Sequence, residues 1–256
     1  MPLSMVLART TAHWDKPEEA EGYNWERCWQ SQDETLSGQY PKHEVHCKPM
    51  MAAYDECFRN TTEDLIAYLH DDLSVYEHGW DLRVLREFDD PTVGVVGFFG
   101  AFAACNPRLY LEPCVTSNFA RGWVVSNTRR EAHLVGERYA GCADIAQFDG
   151  FALIVRREVL EKMGGWLGHG PVSYWCYDLL LSFEARRLGY RLRYVGINCD
   201  HWSGKTMPFA KTHAKGNGLI DPCGDEAHIV AHKFLFDRYK DTGVIPYKVT
   251  DQRRTP

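Results

Sequence analysis

Apolar positions in this chain alternate between two periods. "SMVLART" (4–10), "DLIAYL" (64–69), "TVGVVGFFGA" (92–101), "GWVVSN" (122–127), "FALIVRR" (151–157) and "YRLRYVGINC" (190–199) are short, rich in β-branched or aromatic residues, and predict strands. "HEVHC" is a weaker strand candidate. Between them, "YNWERCWQSQDETL", "PMMAAYDECFRNT", "GWDLRVLREF", "REVLEKMGG", "YDLLLSFEARRLG" and "DEAHIVAHKFLFDRYKDTG" carry the 3.6 period and predict helices. Trp80, Val84 and Phe88 form one such stripe, which "DDP" stops. Glycines close the "REVLEKMGG" and "YDLLLSFEARRLG" helices.

Strands alternating with helices predict an α/β domain around a central, mostly parallel mixed sheet flanked by helices. Ligands of such sheets bind beyond the carboxyl ends of the strands. There "DLIAYL" runs into His70, Asp71 and Asp72. Adjacent carboxylates repel unless a cation or proton sits between them, so the pair marks a candidate site.

Composition narrows the class. The 256 residues are 45% hydrophobic and 25% charged, enough for a sizeable core, and the formal charge of −6 lacks the basic footprint of a dedicated nucleic-acid binder. The nine cysteines are scattered without a C-x-x-C, which disfavours a zinc ribbon or a disulfide scaffold and favours reduced thiols. No apolar run approaches a membrane span, and "MPLSMVLARTTAHW" lacks the charged and apolar regions of a signal peptide. The expectation is a cytoplasmic protein.

Two motifs point away from common sites. "GVVGFFG" is spaced G-x-x-G-x-x-G, which fits neither a dinucleotide fingerprint nor a P-loop, and its glycines are read as packing positions. "HIVAH" sets His228 and His232 on one helical face, but Ile229 stands where a zincin has its glutamate, so a surface or capping role is expected.

Three segments carry the chemistry: "YLHDDL"; "YDLLLSFEARRLGYRL", with Asp178 at its start; and "CDHWSG", with His201 just past the final strand. With "VGVVGFFGA" and "FDGFALIVRREVLEKMGGW" between them, the order from about Met50 to Gly204 resembles the family-2-type, nucleotide-sugar-dependent glycosyltransferases of the GT-A fold. The shared pattern is an acidic motif ending a strand, a D-G strand, an R-R-E-V-L helix, an acidic residue opening a helix that ends R-x-x-G-Y-R, and a late histidine.

The resemblance implies a single GT-A domain over 1–256: a nucleotide-binding half to about 73, an acceptor-binding and catalytic half to about 204, and a C-terminal lid and helix over 205–256. It implies sugar transfer from a nucleotide-diphosphate sugar to an acceptor hydroxyl, with inversion, and Mn2+ or Mg2+ held by Asp72, His201 and Asp71. Asp71 is alternatively a ribose ligand. His70, where relatives often carry the first aspartate, joins Thr10, Thr11 and Lys205 on the donor side, with Lys211 and Lys215 as further diphosphate contacts or ordinary solvated lysines. Asp178 takes the place of the general base, preceded by Tyr177 where many relatives have Glu or Asp. Asp149, Gly150 and Trp166 face the acceptor in relatives, Trp166 either stacking on a sugar or packing in the core.

The first fifty residues depart from the family: "HEVHCKP" offers Glu44 and His46 but no base-reading aspartate. Rival readings keep the fold with retention or nucleotidyl transfer, or change class to a metal-dependent phosphohydrolase or a sugar-binding module. The acceptor stays open among glycans, lipid-linked glycans, protein side chains and modified nucleic-acid bases.

Overall fold

The computed structural model of the chain describes residues 3–11, 25–46, 48–101, 120–128, 131–137, 140–201 and 225–244. Strand β1 (Met5–Thr11) leads to helix α1 (Trp25–Glu34), strand β2 (Lys42–His46), helix α2 (Met50–Asn60) and strand β3 (Leu65–His70). Strand β4 (Leu73–Val75), helix α3 (Trp80–Glu87), and strands β5 (Val93–Gly97) and β6 (Gly100–Ala101) follow. Next come β7 (Ala120–Thr128), β8 (Glu131–Glu137), β9 (Cys142–Ile145), β10 (Gln147–Phe148) and β11 (Ala152–Arg156). Helices α4 (Arg157–Met163) and α5 (Tyr177–Arg187), strands β12 (Arg191–Val195) and β13 (Cys199–His201), and helix α6 (Asp225–Tyr239) complete the described chain.

The α/β class is the one the sequence predicts. A seven-stranded sheet has the order β2-β1-β3-β11-β5-β12-β9. Pairs β1–β2, β1–β3 and β5–β12 are parallel, while β11 runs antiparallel to both β3 and β5, and β9 antiparallel to β12. Five of the seven strands therefore point one way, with β11 inserted among them against the grain. A second sheet, ordered β10-β6-β7-β13-β4 with β8 paired to β7, leans on the first.

Strand periodicity decides the packing. Along β3, Ile66 and Tyr68 enter the core beneath α2, α4, α5 and α6, while Leu65, Ala67 and Leu69 enter the opposite core under α3. Strands β1 and β11 alternate in the same way, so both faces are covered by helices. Trp80, Val84 and Phe88 are buried, as their stripe predicts.

Two predicted strands divide. "TVGVVGFFGA" breaks after Gly97 because β6 leaves the first sheet to pair with β10 and β7. "YRLRYVGINC" ends at Val195, and the chain resumes as β13 in the second sheet. His201 is thus the last residue of a strand rather than a residue beyond one.

The glycine run serves packing, as expected. A Cβ on Gly94 would come within 2.6 Å of Tyr190 Cβ, and one on Gly97 within 2.5 Å of Phe148 Cδ1. Cys28, Cys57, Cys142, Cys176 and Cys199 are free thiols. Among the described residues no helix is long and apolar enough to cross a membrane.

Gly97→Ala should cost about 1–3 kcal/mol through overpacking. Gly38→Ala, whose Cβ would meet only the Tyr40 ring at 3.8 Å, serves as the control and should be close to neutral. Urea denaturation of the two variants checks this, and equal midpoints would contradict it.

Candidate functional site

His70 ends β3, and its N–H donates to Phe151 O across the sheet at 3.0 Å. Asp71 and Asp72 form the turn into β4. The fully buried side chain of Gln32 on α1 clamps that turn, its Nε2 donating to His70 O at 3.1 Å and to Leu73 O at 2.9 Å. Beside it, the N–H of Val75 donates to Ser31 Oγ at 3.1 Å. Strand β4 then pairs antiparallel with β13, setting His201 opposite Leu73 and bringing its ring to Asp72. Phe151 stacks on that ring at 4.7 Å and 23°.

The result is a buried carboxylate between two imidazoles. Asp72 is 3% exposed. His201 Nε2 lies 3.2 Å and His70 Nδ1 3.5 Å from the buried Asp72 Oδ1. One donor atom from each of the three side chains falls within 4.8 Å of the others. Burial by itself would raise the Asp72 pKa, but the charge and hydrogen bonding of His201 and then His70 outweigh it and hold the carboxyl well below the usual range. Burial likewise works to lower His201, and Asp72 reverses this, pushing the imidazole up.

These residues fit a divalent cation. Ligands in adjacent positions at about 2.0–2.2 Å from an ion sit roughly 3 Å apart, close to the separations seen here. Asp72 Oδ1, buried and facing two ring nitrogens, supplies the charge. Asp71, predicted as a ligand, is buried in the same turn but lies outside this group, and His70 stands in it instead.

A second constellation adjoins the first through His70, whose Nε2 is 2.8 Å from the Tyr177 hydroxyl. Cys176, at φ +65°, turns the chain into α5. That is the left-handed region, which costs a non-glycine residue about 1–3 kcal/mol and concentrates at functional sites. Asp178 follows in the first turn, with its Oδ1 accepting the Leu179 N–H at 2.8 Å. Opposite, Asp149 lies just before β11, its own N–H bonded to Phe99 O at 3.1 Å. Asp178 is pushed up to about 7, first by burial and second by the charge of Asp149, against the pull of the Leu179, Asp178 and Gly150 N–H groups. A carboxylate with that value exchanges protons near neutrality.

The second constellation lines a cleft of about 240 Å³, walled by His70, Asp149, Gly150, Tyr174, Trp175 and Asp178, and the first reaches that cleft through His70. Gly150 is required there, since a Cβ would overlap the Tyr177 hydroxyl.

Other expected site residues fall as follows. Thr10 lies half-buried at the end of β1, in register with His70, and Thr11 is in register with His46. Trp166 does not face an acceptor: it is fully buried, 5.3 Å from the Tyr54 ring and 5.2 Å from the Tyr68 ring, and offers no face for stacking. His232 is buried on the cleft wall rather than at the surface, because the inner face of α6 packs on the core through Ala231 and Leu235. Lys205, Lys211, Lys215 and the expected lid lie outside the described residues.

Sequence reasoning missed Gln32 as a clamp and Trp175 as a wall. A polar residue one turn after Cys28, on the buried face of α1, was the available sign of the clamp.

The folded Asp178 keeps its proton up to about 7, whereas the unfolded chain releases it near 3.8. Wild-type stability therefore declines as pH rises through that window. Asp178→Asn removes the titration. Its stability advantage over wild type should grow from pH 4 to pH 7 and then level off, as read by denaturant unfolding across pH; a constant difference would contradict the assignment.

No family model matches the chain, and no curated protein does. Among solved structures, the chain is similar to A197 from STIV at 10% identity, covering 79% of this chain and 87% of that one, with a TM-score of 0.48. It is similar to a mannosyltransferase from Pyrobaculum calidifontis, solved with GDP-Man and Mn2+, at 13% identity over 92% of this chain and 70% of that one, with a TM-score of 0.48. A third is GalNAc-T7, solved with UDP, GalNAc and Mn2+, at 10% identity, a TM-score of 0.47 and 93% of this chain, which spans 55% of that protein's length. At such distances these likenesses assign this chain neither ligand nor activity.

Proposed function

We propose that the chain is a metal-dependent glycosyltransferase that moves a sugar from a nucleotide-diphosphate sugar to an acceptor hydroxyl, with inversion. One observation carries this: His70 belongs both to the candidate cation group with Asp72 and His201 and to the wall of the cleft that holds Asp149 and Asp178. The sequence resemblance to GT-A glycosyltransferases supports the same chemistry.

Asp72, His201 and His70 would hold the cation. Two imidazoles with one carboxylate suit Mn2+ better than Mg2+, which prefers oxygen ligands throughout. Bound there, the cation supplies Lewis acidity that neutralises charge on the departing diphosphate. Thr10 and Asp71 flank the donor side, Asp71 toward the ribose. Asp178 accepts the proton of the acceptor hydroxyl as its oxygen bonds to the anomeric carbon and the bond to the diphosphate oxygen breaks. The charge of Asp149 supports a basic Asp178, and on this reading Asp149 orients the acceptor hydroxyl. The phosphohydrolase alternative needs its His-Asp pair among helices, whereas His70 and Asp72 sit at a strand end and turn.

Asp178→Asn should keep donor affinity and lose on the order of 10²–10⁴ in turnover. Wild-type turnover should rise with pH through about 7 and then plateau, because the base acts deprotonated. Initial rates at saturating donor, with sugar-nucleotide hydrolysis standing in for transfer, test both; near-normal turnover in Asp178→Asn would overturn the mechanism.

EDTA should abolish activity and Mn2+ restore it, and Asp72→Ala should weaken Mn2+-dependent nucleotide binding in a thermal-shift assay. Full activity in metal-free buffer would remove the cation from the proposal.

A further inference from the structure

We infer that the Tyr177 hydroxyl is the positioning group that holds the His70 ring with Nδ1 turned to the cation and Nε2–H turned away from it. The inference rests on the function proposed above and gives a role to one residue at which this chain departs from its resemblance.

A ligating imidazole donates its second N–H to an acceptor, which fixes both tautomer and ring orientation. His70 has its backbone pinned on both sides, by Phe151 O and by Gln32, which leaves ring rotation as its main freedom. At one edge of that ring Nε2 meets the Tyr177 hydroxyl at 2.8 Å; at the other, Nδ1 faces Asp72 Oδ1 at 3.5 Å. A phenol oxygen can accept from Nε2–H, leaving the Nδ1 lone pair for an ion.

The phenol is itself packed in place. Its ring is buried, edge-on to Tyr54 at 5.7 Å and tilted against Trp166 at 6.2 Å. Gly150 gives its hydroxyl the only room it has on that side, since a Cβ would occupy the same space. Burial raises the phenol pKa well above its ordinary value, so the group is neutral. The next residue is Asp178, so the first turn of α5 fixes a cation ligand and the base together. A purely structural role would ask only for the ring, which phenylalanine supplies.

The test is Mn2+ binding to the full chain, followed by electron paramagnetic resonance, for wild type, Tyr177→Phe and Tyr68→Phe. Tyr177→Phe should weaken Mn2+ affinity by about 10–100-fold, while Tyr68→Phe, in the same aromatic cluster, should leave it unchanged. Equal affinity of wild type and Tyr177→Phe overturns the inference and leaves the function standing; a wild type that binds no Mn2+ overturns the function. Should Tyr177→Phe fail to fold, nuclear magnetic resonance of Zn2+-loaded wild type decides. The His70 Nε2 proton should resist exchange and show a cross-peak to the Tyr177 ring, and absence of both refutes the inference.

Discussion

An anionic carboxylate buried in protein must be compensated, or it takes up a proton. Asp72 meets that demand with two imidazoles, and the surrounding architecture is what brings them to it. One comes from the preceding strand and the other from a different sheet, while a buried glutamine stops the intervening turn from relaxing. Compensation by imidazoles differs from compensation by arginine, because an imidazolium can give up its proton and then offer a lone pair, whereas arginine stays protonated and offers none. The arrangement that makes the charge tolerable also makes it available to a cation.

The antiparallel strand β11 explains how the second half of the site reaches the first. Had it run parallel, its beginning would lie at the far edge of the sheet. Running against β3, it starts where β3 ends, pairing Ala152 with Leu69 and delivering Asp149, Gly150 and Phe151 to the rim that carries His70. Helix α5 enters from above with Tyr177 and Asp178, and Gly150 lets the two segments touch. Burial, and after it the charge of Asp149, then raises Asp178, a cost in stability that the site retains.

Much of this was legible in the sequence. The short apolar run "DLIAYL" marks β3, and a strand running into adjacent aspartates locates the rim. Asp178 was legible as an acidic residue at a helix start. Strands of two to four residues such as β4, β6, β10 and β13 were not, because so few positions establish no period. That is why His201 was expected outside a strand. Trp166 stayed open in the sequence for a related reason: an indole is equally suited to a sugar face or a core, and only the neighbouring Tyr54 and Tyr68 rings decide between them. Gln32 hid because a polar residue on an amphipathic helix is ordinarily solvated, and its burial depends on carbonyls contributed by a distant turn.

The pairing of β13 with β4 also bears on how the molecule comes into being. The contact between His70 and Tyr177 closes 107 residues of chain, and the one between His201 and Asp72 closes a longer stretch still. Such closures form late, after local helices and the nearer strand pairs, because their loop entropy must be offset first. A chain emerging from the ribosome therefore holds Asp72 for much of its synthesis without the second imidazole. An ion taken up at the proposed site would then mark completed folding, unlike the small zinc modules in which the ion organises the chain around itself.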